Sequence, residues 1–462
     1  MKGINEMNIL IINGSPKGKT SITLQTLNYL SILHPEHNFE VLCVGQLIKS
    51  YEKDMTPAID AIKKAELLIF SYPVYTFIAP SQLHRFIELM KASGADFSDK
   101  YATQISTSKH FYDITAHAYI ADNCKDMQMK YVKGLSADMD DLTTEKGQKE
   151  AREFFDRVLY SIKEGIFEKL PQKKPAFVPV AATVPEAIPA SVGDIAIITD
   201  CEEDNVALRS MIDRFCAVVG RKTRIINLRD FPFKGGCLGC FNCAVSGKCV
   251  YKDGFDDFLR GTIQTAEAIV YAFTVKDHSM GSLFKLYDDR QFCNGHRTVT
   301  MGMPFAYLIS GDYENEFNLR MIVEGRAEVG GNYLAGVATN AYNTDVEIDK
   351  MAKNLVYALE NKIVTPQNFY GVGGMKIFRD LIWIMQGMMR ADHKFYKSHG
   401  QYDFPQKQRG RMLAMYLVGA LLSSESLRKK AGGKMTEGML MPYNKVLEKT
   451  RKKQENGGNT TS

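Results

Sequence analysis

The chain has 462 residues, of which 45% are hydrophobic and 24% charged, and its formal net charge is +5. That length exceeds what one ordinary core organises and calls for two domains with some added structure, while the balanced charge excludes a strongly basic, nucleic-acid-binding profile. The longest apolar run, Met412 to Leu422, spans 11 residues where a membrane span needs roughly 20, so a buried helix is expected there. No apolar leader precedes the first strand pattern, and a cytoplasmic protein without membrane or nucleic-acid partners is the expectation.

Strand patterns are predicted at Asn8 to Gly14, Phe39 to Val44, Glu66 to Val74, Tyr101 to Thr107 and Lys130 to Ala137. Helical patterns such as SITLQTLNYLSIL, SQLHRFIELMKA and EKGQKEAREFFDRVLYSIKEGI lie between and after them. Near-continuous apolar strands alternating with helices imply a parallel sheet covered on both faces, and five of each suit a flavodoxin-like doubly wound α/β domain. Residues 1–170 are assigned to this domain. A linker rich in proline and alanine follows at 171–193.

The pattern then repeats over 194–362. Its strands are predicted at Ile195 to Asp200, Thr223 to Leu228, Ala268 to Val275, Thr300 to Ser310 and Asn332 to Asn340. YVKGLSAD (Tyr131 to Asp138) and YLAGVATN (Tyr333 to Asn340) stand at the same place in each unit, which indicates an internal duplication. The second unit is longer by about 14 residues before its third strand, and that insertion holds four cysteines. Residues 363–450 are assigned to a helical extension, and the polar tail 451–462 reads as disordered.

Chemistry is concentrated in a few stretches. LIINGSPKGKTSIT (Leu10 to Thr23) misses the G-x-x-x-x-G-K-[ST] phosphate loop by one residue, and no aspartate suited to Mg²⁺ ends a following apolar strand. The residues leave three readings: a loop for one terminal phosphate, a triphosphate loop, or a purely structural turn. Hydroxyls, a helix N-terminus and one lysine suit the first. SYPVYTFIAPSQLHRFIE (Ser71 to Glu88) and STSKHFYDITAHAYI (Ser106 to Ile120) follow the third and fourth strands.

These three passages resemble the NADPH-dependent FMN reductase and iron–sulfur flavoprotein group. The resemblance implies that Ser15, Lys17, Ser21, Ile22 and Thr23 bind an FMN phosphate and that Pro73, Val74 and Tyr75 line the isoalloxazine ring, with Thr107, Ser108, His110 and Tyr112 as further ring contacts. Tyr72 departs from the small hydroxyl residue usual in the family. His110 and His117 lack the carboxylate cluster that would make them a metal pair.

The insertion reads Cys237-x2-Cys240-x2-Cys243-x5-Cys249. Four thiolates in so short a loop can close on one inorganic core. The residues alone leave a cluster, a zinc ion or free thiols open, and the family resemblance implies a [4Fe–4S] cluster. Cys43, Cys124, Cys201, Cys216 and Cys293 stand apart and read as small buried hydrophobes. In the second unit Asp200, Glu202, Glu203 and Asp204 occupy the phosphate position, so flavin binding is expected in the first unit only. TVKDHSMGSLFKLYDDR (Thr274 to Arg290) still aligns with the ring loop and its helix.

No side chain is singled out as a catalytic acid or base. Asp392, His393, Tyr396 and His399 could line a substrate pocket. The expected protein is an FMN-dependent oxidoreductase that passes electrons between NAD(P)H or ferredoxin and a small-molecule or protein acceptor, with its two units forming a pseudodimer and homo-oligomers left open. A redox sensor without turnover and a bare scaffold are the competing classes.

Overall fold

Each predicted strand series forms its own parallel sheet. The computed structural model describes residues 6–172, 175–402 and 409–422, with residues 424, 426 and 452. The first series runs β1 (Asn8–Asn13), α1 (Ile22–Leu33), β2 (Asn38–Leu42), α2 (Val44–Tyr51), α3 (Thr56–Lys64), β3 (Leu67–Pro73), α4 (Ser81–Ala92), β4 (Tyr101–Ser108), α5 (Asp113–Asp126), β5 (Lys130–Tyr131), β6 (Leu135–Asp138) and α6 (Glu145–Glu164). Its strand order is β2-β1-β3-β4-β5, with β6 also on β4. Alternation along β1 explains the two covered faces: Ile9 and Ile11 pack with Leu24, Leu27, Phe155 and Val158, whereas Leu10 and Ile12 pack with Ile62, Leu83 and Phe86. Helix α6 is delimited by a Thr144 hydroxyl that accepts from Gly147 N and by Gly165 at φ 66°.

The second series runs β7 (Ile195–Thr199), α7 (Val206–Val218), β8 (Thr223–Asn227), α8 (Asn242–Ser246), α9 (Phe255–Phe258), β9 (Ala268–Thr274), α10 (Gly281–Arg290), β10 (Phe305–Ser310), α11 (Phe317–Gly330), β11 (Leu334–Thr339) and α12 (Thr344–Asn361). Its order is β8-β7-β9-β10-β11. Both sheets therefore have the 2-1-3-4-5 order of the flavodoxin-like fold. Helices α13 (Phe369–Ile384) and α14 (Arg390–Ser398) follow, and residues up to His399 form one compact unit.

Three sequence readings change. The strand expected over Lys130 to Ala137 is broken into β5 and β6 because the buried Gln104 side chain packs against Gly134, bonding Tyr72 Oη, Tyr131 Oη and the His117 carbonyl there. Thr300 to Met303 is turn rather than strand, and β10 begins only after Pro304. The apolar run at Met412 lies in a separate unit beginning at Gly400, as helix α15 (Arg409–Leu422). Met412, Leu413, Tyr416, Leu417 and Leu421 are exposed rather than buried, because their apolar run goes round the helix and not along one covered face. The expectation of a disordered tail falls, apart from residue 452, outside the described residues. No helix among the described residues is long and apolar enough to cross a membrane.

The duplicated units meet about a pseudo-twofold axis. Helices α4 and α10 each follow the third strand of their sheet, and they pack on one another. Ser81 N donates to Asp289 Oδ2 at 2.8 Å, and Ser282 N donates to Glu88 Oε1 at 2.7 Å. Ser81 corresponds to Ser282 and Glu88 to Asp289, so each helix caps the other's N-terminus with a carboxylate from its own far end. The preceding turns match as well: Thr76 and Phe77, like Asp277 and His278, are consecutive residues with positive φ, and the bridges Tyr75–Ile78 and Lys276–Ser279 correspond. Lys285, fully buried, pairs with Asp289 and donates to the Tyr75 carbonyl at 2.9 Å.

Two outcomes follow from this interface. Asp289→Ala strands the Ser81 N–H and removes the main partner of a buried ammonium, so unfolding in urea should show a loss of about 3 kcal/mol or more, with Lys285→Met in the same chain recovering part of it. His278 bonds Asp126 and Glu316, each at 3.0 Å; burial opposes its charge, but those hydrogen bonds prevail and hold its pKa up at about 10. Because that value is raised from the ordinary 6.5, the contribution is complete below about pH 6.5 and is lost as pH rises through about 10. His278→Ala should therefore lower stability most at pH 6 and least near pH 10.5, measured by urea titrations across that range.

Candidate functional site

The site is built where the strands of the first sheet end, at the reversal of strand order that leaves a crevice in such folds. After β1 the chain turns back sharply. Asn13 Nδ2 donates to the Gly18 carbonyl at 2.8 Å, and Ser15 N donates to Asn13 Oδ1 at 3.1 Å. Gly18, at φ +55°, lies against the Gln46 side chain, where a Cβ would clash. Ser21 then starts α1 in extended conformation, and its hydroxyl makes no hydrogen bond among the described residues. Thr23 Oγ1 is bonded to Thr107 Oγ1 of β4 at 2.6 Å, tying the loop to the neighbouring strand end. The Lys17 ammonium has no carboxylate partner among the described residues and stands 5.8 Å from the centre of the Phe241 ring.

These groups line one side of a cavity. Ser15, Lys17, Ser21, Ile22 and Thr23 are joined there by Pro73, Val74, Tyr75 and Thr76 from the end of β3, and by Thr107, Ser108, Lys109 and Phe111 after β4. His110 and Tyr112 lie off this lining. His110 Nδ1 turns to Asp113 at 2.8 Å, while the Tyr112 ring packs on Phe77 and against Gly325 of α11.

The other side comes from the second unit. Cys237, Cys240, Cys243 and Cys249 all line the same cavity, with Phe241, Tyr251, Arg290, Phe292, Cys293 and His296. Glycines let the cysteine loop lean on the first unit: a side chain at Gly236 would meet Ser81 and Gln82, and one at Gly239, φ +60°, would meet the Tyr75 hydroxyl. Gln82 Nε2 donates to the Cys237 carbonyl at 3.2 Å. Arg290, 1% exposed, anchors the loop from below. Its guanidinium is held by both Asp253 oxygens at 2.8 Å, donates to the Gly235 carbonyl at 2.9 Å, and lies 4.5 Å from the Tyr251 ring centre and 4.8 Å from that of Phe255.

Burial pushes the Cys237 thiol up to about 12 and the Cys243 thiol up to about 11. Gly239 N points at Cys237 Sγ, 3.5 Å away. Among the described residues no three His, Cys, Asp or Glu side chains converge as ligands of a single metal ion.

The corresponding loop of the second unit is satisfied internally. Asn205 caps α7 by accepting from Leu208 N at 3.1 Å, Glu202 pairs with Arg229, and burial raises Asp200 to about 6. Asp200, Glu202 and Asn205 line a separate cleft with Arg229 and Lys276.

Several lining residues escape the sequence reading. Cys293 reads as an isolated cysteine, yet it shares the cavity with the four of the insertion. His296 lies in a turn without periodicity, and Phe378 sits on α13, far away in sequence. Only Arg290 left a signal, as the arginine closing the stretch that aligns with the ring loop and its helix. None of the C-terminal candidates Asp392, His393, Tyr396 and His399 is among the lining residues; Asp392 and Tyr396 are instead buried beside His296.

Comparison with known proteins adds three findings. An iron-sulfur flavoprotein of Clostridioides difficile (strain 630) is 24% identical over 137 residues, covering 27% of this chain and 60% of the relative, so the chain spans less than two thirds of that relative's length. Among solved structures, an NAD(P)H:quinone oxidoreductase from Methanothermobacter marburgensis is 13% identical, covering 37% of this chain and all of its own, with a TM-score of 0.28. An FMN-dependent NADH-azoreductase from Bacillus anthracis, in complex with FMN, is 14% identical over 34% of this chain and all of its own, with a TM-score of 0.27. The segment bearing the phosphate-type loop and both ring-type loops, residues 7–137, matches the NADPH-dependent FMN reductase family.

Proposed function

We propose that the chain is an FMN-dependent oxidoreductase in which the first unit holds the flavin and the cysteine loop of the second unit holds a [4Fe–4S] cluster. The observation that carries this reading is the single cavity: a phosphate-type loop, two ring-type loops and four cysteines, from two duplicated units, line one space. FMN, when bound, couples a two-electron donor to one-electron partners.

The residues fit that cofactor. Lys17 and the uncommitted Ser21 hydroxyl, with the first turn of α1 and the hydroxyls of Ser15 and Thr23, would hold the phosphate as a dianion. The Phe241 ring stands within cation–π range of the Lys17 ammonium, at 5.8 Å. Pro73, Val74 and Tyr75 would line the ring, with Thr107 and Ser108 beside them. His110 and Tyr112, lying off the lining, are given no ring contact. NAD(P)H is the proposed donor, as the family match suggests, and ferredoxin is the alternative.

The four thiols suit a cluster better than zinc. Their x2, x2 and x5 spacings fall within one short loop, whereas structural zinc usually takes two close cysteine pairs separated by a longer loop.

Protein purified without oxygen should show flavin absorption bands over a broad iron–sulfur shoulder, with iron and acid-labile sulfide near four each per chain as expected of the cluster type. Cys240→Ala should remove the shoulder and leave the flavin; a flavin-only spectrum in the wild type would refute the cluster, and a colourless protein after reconstitution would refute both. Lys17→Ala should weaken FMN binding about 10- to 100-fold, the worth of a charge-assisted hydrogen bond, while riboflavin binding, which lacks the phosphate, should be unchanged in calorimetric titrations.

A further inference from the structure

His296 is the side chain of the cavity whose construction the cofactor reading does not explain. It sits in the loop after α10, outside any helix or strand, yet it is held from several directions. Asp392 of α14, fully buried, accepts from His296 N at 3.3 Å and pairs with His296 Nδ1 at 3.2 Å; its other oxygen lies 3.8 Å from Arg297 Nε. Tyr396, one turn along α14, donates its hydroxyl to the His296 carbonyl at 3.1 Å. The Phe378 ring closes on the imidazole at 4.9 Å between centres. Backbone, ring plane and one ring nitrogen are thereby held.

The other nitrogen is not. Nε2 has no protein partner among the described residues, and His296 lines both the cofactor cavity and a second, adjoining cleft bounded by Arg297, Arg326 and Asn332. A histidine that served only to pin α14 would have no need to stand at the junction of two open spaces with one nitrogen uncommitted. Phe292 links it to the ring-type loop, with its ring centre 6.5 Å from Tyr75 and 5.5 Å from His296. The ionisable groups sharing the cavity wall are Lys17, Tyr75, Lys109, Tyr251, Arg290 and the cysteine thiols, while Asp392 and Arg297 lie off it.

We infer that His296 donates a proton to an acceptor bound where the two spaces join, and that Asp392 is its positioning residue. The acceptor class is a planar carbonyl compound that is protonated at oxygen as it gains an electron pair, as a quinone is. The inference rests on the flavin reading above. For a quinone the balance is NAD(P)H + H⁺ + quinone → NAD(P)⁺ + hydroquinone. The hydride supplies both electrons and one proton; the second proton leaves His296 Nε2 for a carbonyl oxygen, whose C=O π bond breaks as O–H forms, and solvent returns a proton to Nε2. Asp392 accepts from Nδ1 and so leaves Nε2 as the nitrogen that delivers the proton.

The test compares two acceptors of different proton demand. Holoprotein reduced with dithionite is mixed in stopped flow with menadione, which needs protons, or with ferricyanide, which takes electrons alone. His296→Gln should slow reoxidation by menadione about 100-fold, within the range for general acid catalysis, and leave ferricyanide within about twofold. Asp392→Asn should move the ratio the same way by a smaller factor. In calorimetry on the oxidised holoprotein, menadione should bind His296→Gln about 3- to 10-fold more weakly, the loss of one hydrogen bond. Equal slowing of both acceptors at normal flavin content would mark a structural role and overturn the proposal alone, as would an unchanged ratio. Wild-type protein without flavin absorption would overturn the underlying reading and this proposal with it.

Discussion

The structure depends on the exchange of carboxylates between α4 and α10. A helix N-terminus leaves several N–H groups unpaired, and burying two such ends against each other would be costly unless each received an acceptor. Glu88 and Asp289 supply those acceptors reciprocally. The exchange sets the two units in register about the pseudo-twofold axis, because only one rotation satisfies both ends together. The core follows: Leu83 and Phe86 of the first unit and Phe273, Phe284 and Tyr287 of the second belong to one continuous apolar cluster.

That register also creates the cavity. The residue beside the first cap, Gln82, holds the Cys237 carbonyl, and Lys285, beside the second, holds the turn carrying Tyr75. Fixing α4 on α10 therefore brings a loop from one unit and a cysteine run from the other onto the same space. The cavity draws on both units: the phosphate-type and ring-type loops come from the first, and the cysteine run comes from the second. The extension completes the enclosure, with Phe378 of α13 on the cavity wall and Asp392 of α14 on the loop of His296.

The alternation of helices with strands and the doubling of the unit were legible because each rests on local pattern, whereas the strand order is a property of the packed sheets. Apolar strand runs and helical periodicity do not depend on distant residues for their identity. The phosphate-type loop and the four-cysteine run were legible for the same reason, since spacing within a short segment limits what it can surround. Where a local pattern was overruled, a distant side chain did it: Gln104, wedged at Gly134, split a strand that reads as continuous.

From the sequence alone came two α/β units, the loop chemistry of the first, the acidic erosion of the second and the candidate thiols. Only the tertiary structure decided that these parts share one cavity, that His110 and Tyr112 stand apart from it, and that Cys293 and His296 belong to it. Residues 296 and 392 are brought together by two helix packings, and no periodicity or spacing along the chain encodes such a contact. Side-chain chemistry is written locally, but proximity is a property of the packed chain.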